Sequence, residues 1–531
     1  MYKILRLNET IQVNKTYYKE DSFMRKASKI MCLLVATLLI ISGLFTGCGK
    51  ATDNGTSTAT STVSSGSTAV ESTAIDTSKA VDLSMYLIGA PAKDYDPVVA
   101  EVNKKLKTDL NASVTINWIG WGDFGTKYPL ILASGEPIDL IYASTWLNFY
   151  TQAQKGAFMA IEELAPKYAP ASLAETTPDF LAQATVNGHL YGLPPTFYQD
   201  AMMGYIVRGD LMKKYGMTSI DNIDGYGKYL DAVVKNDKKF DPTGFMATSD
   251  GLDLFYAAEM NLYNILRSSP YYVDLNDPNA KIVNLMDRPE TPAYFAKMKE
   301  WSDKGYWPKS VLSNKDENMF RDGKAASRIH GMDAWKSLSI EHPEYDLQYY
   351  PGWPFSFKTA AMQDGMAIPA ASKNPERALM FLEKLRQDQS YYNLLTYGIE
   401  GKHYEITPDD QIKALNIDAF ALEGYCSWGF KSLKFFKEPV GAPAKLKEVK
   451  DKVKSLTVEN KYVLFVPNLD PIKNETAAVL NVMQQYAVPM NYGYVEPVKG
   501  LATLKEKLKA AGSEKVMAEL QKQLDEYLKT K

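Results

Sequence analysis

Cysteine, histidine and long apolar runs are all scarce in this chain, and each scarcity closes off a class of protein. Only three cysteines occur in 531 residues, Cys32, Cys48 and Cys426. Cys32 lies inside an apolar run and Cys48 at its end, which leaves Cys426 as the one unmodified thiol in the body of the chain. No intramolecular disulfide framework is available there, so stability has to come from packing. The four histidines, His189, His330, His342 and His403, are far apart in sequence and show no metal-ligand spacing, which argues against zinc or haem. No metal and no cofactor are expected. The formal net charge is −3, with Lys and Arg scattered among comparable numbers of Asp and Glu, so there is no basic face to hold a nucleic acid. There is no G-x-S-x-G nucleophile turn and no internal repeat of solenoid period.

The apolar run Ile30 to Phe45 is shorter than the roughly 20 residues that span a bilayer comfortably. The basic cluster Met24-Arg25-Lys26-Ala27-Ser28-Lys29 precedes it, and Leu44-Phe45-Thr46-Gly47-Cys48 closes it. A positive segment, a short apolar core and small residues before a cut site are the parts of an export signal. Ending on Gly-Cys, it resembles the bacterial lipoprotein signal, in which the cysteine is diacylated and becomes the mature N-terminus. Phe45 departs from that pattern, which usually has leucine. The resemblance implies lipidation at Cys48 and a lipid anchor on the extracytoplasmic face of the cell membrane. Met1 to Asp21 sits ahead of a complete signal, which places the expected start at Met24. Gly49 to Lys79 is about half Ser and Thr without apolar periodicity, the composition of a flexible tether.

Order is expected from Val81, where Val81-Asp82-Leu83-Ser84-Met85-Tyr86-Leu87 alternates as a strand does. Asp96-Pro97 then caps a helix carrying Val98, Val102 and Leu106 on one face. Ser113 to Trp118 reads as a second strand, about Asp123 to Ala133 as a helix, and Ile138 to Tyr142 as a third strand. Strands alternating with helices argue for a mostly parallel sheet covered on both faces. Asn187-Gly188 between apolar runs marks a hairpin. A second lobe begins near Gly204 to Val207 with a helix at Asp210 to Tyr215, and short strands follow at Ala326 to His330, Leu347 to Tyr350 and Met366 to Pro369. Asn374-Pro375 opens a helix carrying Ala378, Phe381, Leu382 and Leu385. The tail is helical, with Met517, Leu520, Leu524 and Tyr527 on one stripe that is expected to pack on the second lobe.

Several landmarks in this order resemble the extracellular solute-binding proteins of ABC importers, in the class that carries sugars and oligosaccharides. They are Ala133-Ser134-Gly135-Glu136-Pro137-Ile138-Asp139-Leu140-Ile141, Gly156 to Leu164, Tyr191-Gly192-Leu193-Pro194 and Tyr205-Ile206-Val207-Arg208-Gly209-Asp210-Leu211. Tyr397 to Tyr404, Asn474 to Val479 and Leu508 to Gly512 are similar to a C-terminal domain appended in a subset of these lipoproteins. The resemblance implies an α/β, two-lobe periplasmic-binding-protein-like fold, each lobe a mostly parallel sheet flanked by helices, with a helical C-terminal extension. The expected layout is 1–47 signal peptide, 48–80 tether, 81–197 lobe 1, 198–345 lobe 2, 346–390 return to lobe 1, and 391–531 lobe 2 with the appended region.

Ligands of open α/β sheets sit beyond the carboxyl ends of the strands, and two lobes offer two such edges. Aromatics crowd those edges here: Trp118 and Trp121 after the second strand, Tyr142 and Trp146 around the third, Tyr198 with Asp200 at the first crossover. Asp333 and Trp335 follow the strand ending at His330. A sugar presents apolar C–H faces and a hydroxyl rim, which suit aromatic faces beside carboxylate and amide acceptors. The resemblance implies ligand contact at the crossover and at Gly331-Met332-Asp333-Ala334-Trp335. The candidate ligand-binding residues are Trp121, Tyr142, Trp146, Tyr198, Asp200, Asp333 and Trp335, with Glu400 and His403 in a turn that also suits a structural role. Asp274-Leu275-Asn276-Asp277-Pro278-Asn279 lacks the full calcium-loop pattern and reads as a solvated turn.

The expected function is capture of a carbohydrate, chiefly an oligosaccharide, by a lipid-anchored receptor that delivers it to an importer permease without chemistry. A peptide receptor is the alternative within that class, though no paired Asp and Arg for peptide termini is identifiable. A secreted glycoside hydrolase is the alternative from another class; it needs two carboxylates at a defined separation, which composition does not exclude.

Overall fold

The computed structural model describes residues 76–198, 202–244, 252–314, 316, 318–422 and 427–529. Cys48 and the export signal, Cys426 and Asp200 lie outside the described residues. All those described belong to one unit, Ile75–Lys531.

The alternation that starts at Val81 builds the centre of the first sheet. Strand β1, Val81–Ile88, pairs in parallel with β2, Ala112–Ile119, over eight residues from Val81 opposite Ala112 to Ile88 opposite Ile119. On its other side lies β3, Leu140–Ala143, also parallel and buried at every position, as strands covered on both faces are. The intervening helix, Tyr95–Leu110, buries Val98, Val102, Leu106 and Leu110 and stops at left-handed Asn111, whose N–H donates to the Leu106 carbonyl. Thr185–Val186 (β4) and His189–Leu190 (β5) form the expected hairpin. Asn187 and Gly188 both have positive φ, 52° and 87°, the geometry of a two-residue turn that follows strand twist.

In the second lobe β6, Met203–Val207, is the middle strand. A separate antiparallel sheet comprises β7 Leu262–Asn264, β8 Tyr271–Asp274 and β9 Ile282–Asn284. Flanking β6 are β10, Ser327–Gly331, and β11, Gln348–Pro351, and both run antiparallel to it. The mostly parallel sheet expected of each lobe therefore describes the first and not the second. The reason is an interposed strand: β10 and β11 share a direction across the helix Met332–Glu341, as strand-helix-strand alternation implies, but β6 lies between them and runs the other way.

Beyond β12, Ser356–Phe357, the chain returns to the first sheet as β13, Gly365–Ala367, an antiparallel edge beside β3. The return falls later than position 346, since β11 still belongs to the second lobe. It also lasts past 390. Asp388 caps a second helix, Gln389–Tyr397, by accepting from the Ser390 N–H, and Tyr391, Tyr392, Leu395 and Tyr397 enter the first core together with Tyr404, Phe420 and Phe430. The C-terminal helices merge with the second core: Leu501, Leu504, Leu508, Val516, Leu520 and Leu524 are buried in one cluster with Tyr226, Tyr271 and Trp301. Tyr271 Oη lies 3.0 Å from Ser513 Oγ, and Gln521 Oε1 accepts from Ile282 N at 2.7 Å. No described helix is long and apolar enough to cross a membrane.

The first two passages of the chain between the lobes meet beside Thr457–Val458, which follows a helix, Leu446–Leu456, packed in the second lobe. β12 pairs in parallel with Thr457–Val458, and Lys358 N donates to Val458 O at 3.1 Å. The Lys358 ammonium sits 3.9 Å from the centroid of the Tyr198 ring and 3.5 Å from the Glu459 carboxylate.

Because Leu520 is shared by the C-terminal helices and the second lobe, Leu520→Ala is expected to cost about 2–5 kcal/mol. Both regions should lose structure in one denaturant transition. Hydrogen exchange that quickens only in the last helices would contradict a common core.

Candidate functional site

Beyond the carboxyl ends of the parallel strands, three indoles form a row. Trp121 follows β2 by two residues. After β3, Ser144 caps the turn Thr145–Leu147: its Oγ accepts from Trp146 N at 3.2 Å and donates to the Gln363 carbonyl, which fixes where Trp146 stands. The third indole, Trp428, comes from the turn Ser427–Phe430 lying beside β13. Trp121 is in the middle, 5.7 Å and 29° from Trp146 and 5.9 Å and 23° from Trp428. Phe124 meets Trp121 and Trp146 edge-on, and Tyr142 is 5.5 Å from both Trp146 and Trp428. Near-parallel rings braced by perpendicular ones satisfy the aromatic quadrupoles. All three indoles are only partly buried.

Gly429 makes the close approach possible. A Cβ there would stand 2.8 Å from Tyr142 Cδ2 and 2.8 Å from Met366 Sδ, inside contact distance. Tyr142 is fully buried, donates its hydroxyl to Asp364, and supports the row from beneath. Trp428 escaped the sequence reading; the available signal was the interleaving of glycine and aromatics in Gly424-Tyr425-Cys426-Ser427-Trp428-Gly429-Phe430, a stretch without strand or helix periodicity.

The other candidates lie elsewhere. Tyr198 belongs to the crossings, with its hydroxyl donating to Asp179 and accepting from Gln183 Nε2 at 3.0 Å. Burial, with Asp179 beside it, pushes its phenol up to about 12. Asp333 is exposed in the first turn of Met332–Glu341, where the helix dipole favours an acid. Trp335 is 2% exposed, stacks on Tyr349 at 5.7 Å and donates Nε1–H to Leu347 O at 2.9 Å, so its indole is occupied by the second-lobe core. Glu400 is exposed. His403 is fully buried and stacks on Phe420 at 5.3 Å. Its Nδ1 accepts from Ile399 N at 2.9 Å, which leaves the proton on Nε2, 3.3 Å from Asp94 Oδ2. That is a structural tie between a turn and the helix at Tyr95–Leu110.

His330, at the end of β10, also went unpredicted. Its side chain is exposed, and desolvation followed by the Arg328 charge lowers its imidazole from the ordinary value. The Asp274 segment is a turn in which Asp274 accepts from Asn276 N and Asp277 from Asn279 N, each at 2.9 Å, while Arg288 pairs with Asp274. Among the described residues no group of three His, Cys, Asp or Glu is arranged to hold a metal.

Residues 98–401 match the family of bacterial extracellular solute-binding proteins, and residues 461–529 match a domain of unknown function, DUF3502. A carbohydrate ABC transporter substrate-binding protein of Streptococcus pneumoniae serotype 4 is 28% identical over 463 residues, covering 85% of this chain and 91% of that one. The N-glycan transport solute-binding protein NgtS from Streptococcus pneumoniae, solved with Man1GlcNAc, superposes with a TM-score of 0.73 at 25% identity, covering 85% of this chain and all of that one. Its complex with Man5GlcNAc gives 0.72 at 26% identity, covering 85% and 99%.

Two expectations follow. Trp335→Ala should cost about 3–5 kcal/mol of stability, measured by denaturant unfolding, and leave the Trp121 row in place. Lys402 first, then His403, holds the Asp94 carboxyl below its ordinary value of 3.8. A carboxylate depressed in the folded state stabilises above its unfolded pKa and loses that contribution as pH falls through the folded one. Asp94→Asn should therefore lower the melting temperature at neutral pH, and the gap to wild type should narrow as pH falls below the ordinary carboxylate value of 3.8. A gap that stays constant as pH is taken well below that value would contradict the pairing.

Proposed function

This chain belongs to the family of bacterial extracellular solute-binding proteins, and we propose that it is the substrate-binding component of an ABC importer that takes a carbohydrate, in particular an oligosaccharide, between its lobes. The observation that carries this reading is the row Trp146, Trp121, Trp428 at the carboxyl edge of the parallel sheet. Pyranose C–H faces stack on indoles, and a sugar unit would lie against the partly exposed ends of the row, Trp146 and Trp428, since Trp121 is stacked on both of them. The relatives crystallised with Man1GlcNAc and Man5GlcNAc support the same ligand class.

The mechanism is capture without bond making. A ligand that touches both lobes binds the closed arrangement more tightly than the open one, and that difference in affinity sets how far closure goes. The permease then reads the closed shape. Cys48 carries the lipid that holds the protein on the extracytoplasmic face of the membrane, and the Ser/Thr segment gives it reach.

In a thermal-shift screen of mono- and oligosaccharides, peptides and amino acids, saccharides should raise the melting temperature of the mature protein. Stabilisation by peptides alone would refute the carbohydrate reading, and steady release of reducing sugar from an oligosaccharide would refute the receptor. Trp428→Ala should weaken saccharide binding by about 2 kcal/mol, roughly thirty-fold, as read by calorimetry.

A further inference from the structure

We infer that Gln183 is a positioning residue for the ligand site: its side-chain amide ties the first two lobe crossings to the turn that holds Trp146, so the indole row keeps its place only while the crossings keep theirs. This rests on the carbohydrate reading above for what the row binds, and adds to it how the row is held from the junction of the lobes.

Gln183 ends the short first-lobe helix Pro178–Gln183 and is 3% exposed. A buried amide has to place both its N–H donors and its carbonyl oxygen. Here Nε2 donates to Tyr198 Oη at 3.0 Å and to Asp179 Oδ2 at 3.4 Å, while Oε1 accepts from Ala361 N at 2.8 Å. These partners dictate which end of the amide is which, since a backbone N–H requires the oxygen and a carboxylate requires the nitrogen.

Each partner leads to a different place. Tyr198 belongs to the first crossing and lies under the Lys358 ammonium, 3.9 Å from its ring centroid. Lys358 belongs to the second, and its own N–H is bound to Val458 O. Three residues later Ala361 opens the turn Ala361–Gln363. At the end of that turn Gln363 O accepts from Ser144 Oγ, and Gln363 Oε1 accepts from Thr145 Oγ1 at 3.2 Å; Asp364, next in the chain, accepts from the Tyr142 hydroxyl. Ser144 caps the turn that carries Trp146, and the Tyr142 ring is 5.5 Å from both Trp146 and Trp428. A continuous line of bonds and ring contacts thus runs from Lys358 to the row, with Gln183 bonded to both crossings. Closure changes dihedrals in the crossings while the cores stay rigid. A turn bonded to a crossing through a fully engaged amide follows that change, and the anchors of Trp146 follow the turn.

The test uses the full mature chain with Gln183→Met, which keeps the bulk and removes the bonds, and separately Tyr198→Phe, which keeps the ring under Lys358. Near-ultraviolet circular dichroism of the ligand-free proteins reads the row, and calorimetry with Man5GlcNAc reads binding. Gln183→Met should alter the tryptophan bands, and the difference should vanish when both proteins also carry Trp146→Phe. Man5GlcNAc should bind about ten-fold more weakly to Gln183→Met and about five-fold more weakly to Tyr198→Phe. The double variant should stay near about ten-fold, short of the roughly fifty-fold loss of independent sites. A lower melting temperature with unchanged bands and affinity would make Gln183 a core residue only and overturn the inference, as would losses that multiply. Should Gln183→Met not fold, unchanged bands in Tyr198→Phe would overturn it equally. Wild-type silence towards Man5GlcNAc tells against the carbohydrate reading, and the ligand-free bands then decide the positioning role by themselves.

Discussion

Everything that ties the two lobes together depends on the place where two of their connections meet. Lys358 holds that place by standing over the Tyr198 ring and beside Glu459, so one ammonium touches the first and second passages and a carboxylate that follows a second-lobe helix. The backbone pairing of Ser356–Phe357 with Thr457–Val458 adds directional bonds to the charge. Two separately packed cores are thereby joined by a short strip of extended chain, the arrangement in which a few residues absorb the dihedral change of closure while the cores stay rigid. Tyr198 entered as a candidate for ligand contact, and its position explains why an aromatic is needed at the crossover: it is the face that the ammonium rests on.

The C-terminal region is not a bead on the end of the chain. Its leucines share a core with the second-lobe helices, and Tyr271 reaches back to Ser513. A region so embedded moves with its lobe. Tyr527 of its last helix, packed on Phe465 and donating to the Lys461 carbonyl, is carried with it.

Local physics made much of the first lobe legible. The period-two alternation of Val81 to Leu87, the apolar spacing of Val98, Val102 and Leu106, and the Asn187-Gly188 turn each encode an element by themselves, and each element is where its pattern implies. The direction of β6 was not encoded locally, because a strand's partners are chosen by the sheet and not by its own five residues. In the site, Trp121 and Trp146 were visible from their place just after strands. Trp428 was not, because only tertiary folding brings the 427–430 turn beside β13. Trp335 shows the opposite limit: a tryptophan after a strand looks the same in sequence whether its indole faces a ligand or, as here, donates to Leu347 O within a core.

The indole row has an optical consequence. Rings 5.7 and 5.9 Å apart at shallow angles lie close enough for their transition dipoles to couple, so Trp146, Trp121 and Trp428 absorb and emit partly as a unit rather than as three separate dyes. Of the other five tryptophans, Trp301 and Trp307 lie 6.4 Å apart but at a steep 58°. The protein thus carries an unlabelled chromophore at the edge where its parallel sheet opens, and whatever lies down on that edge changes its colour.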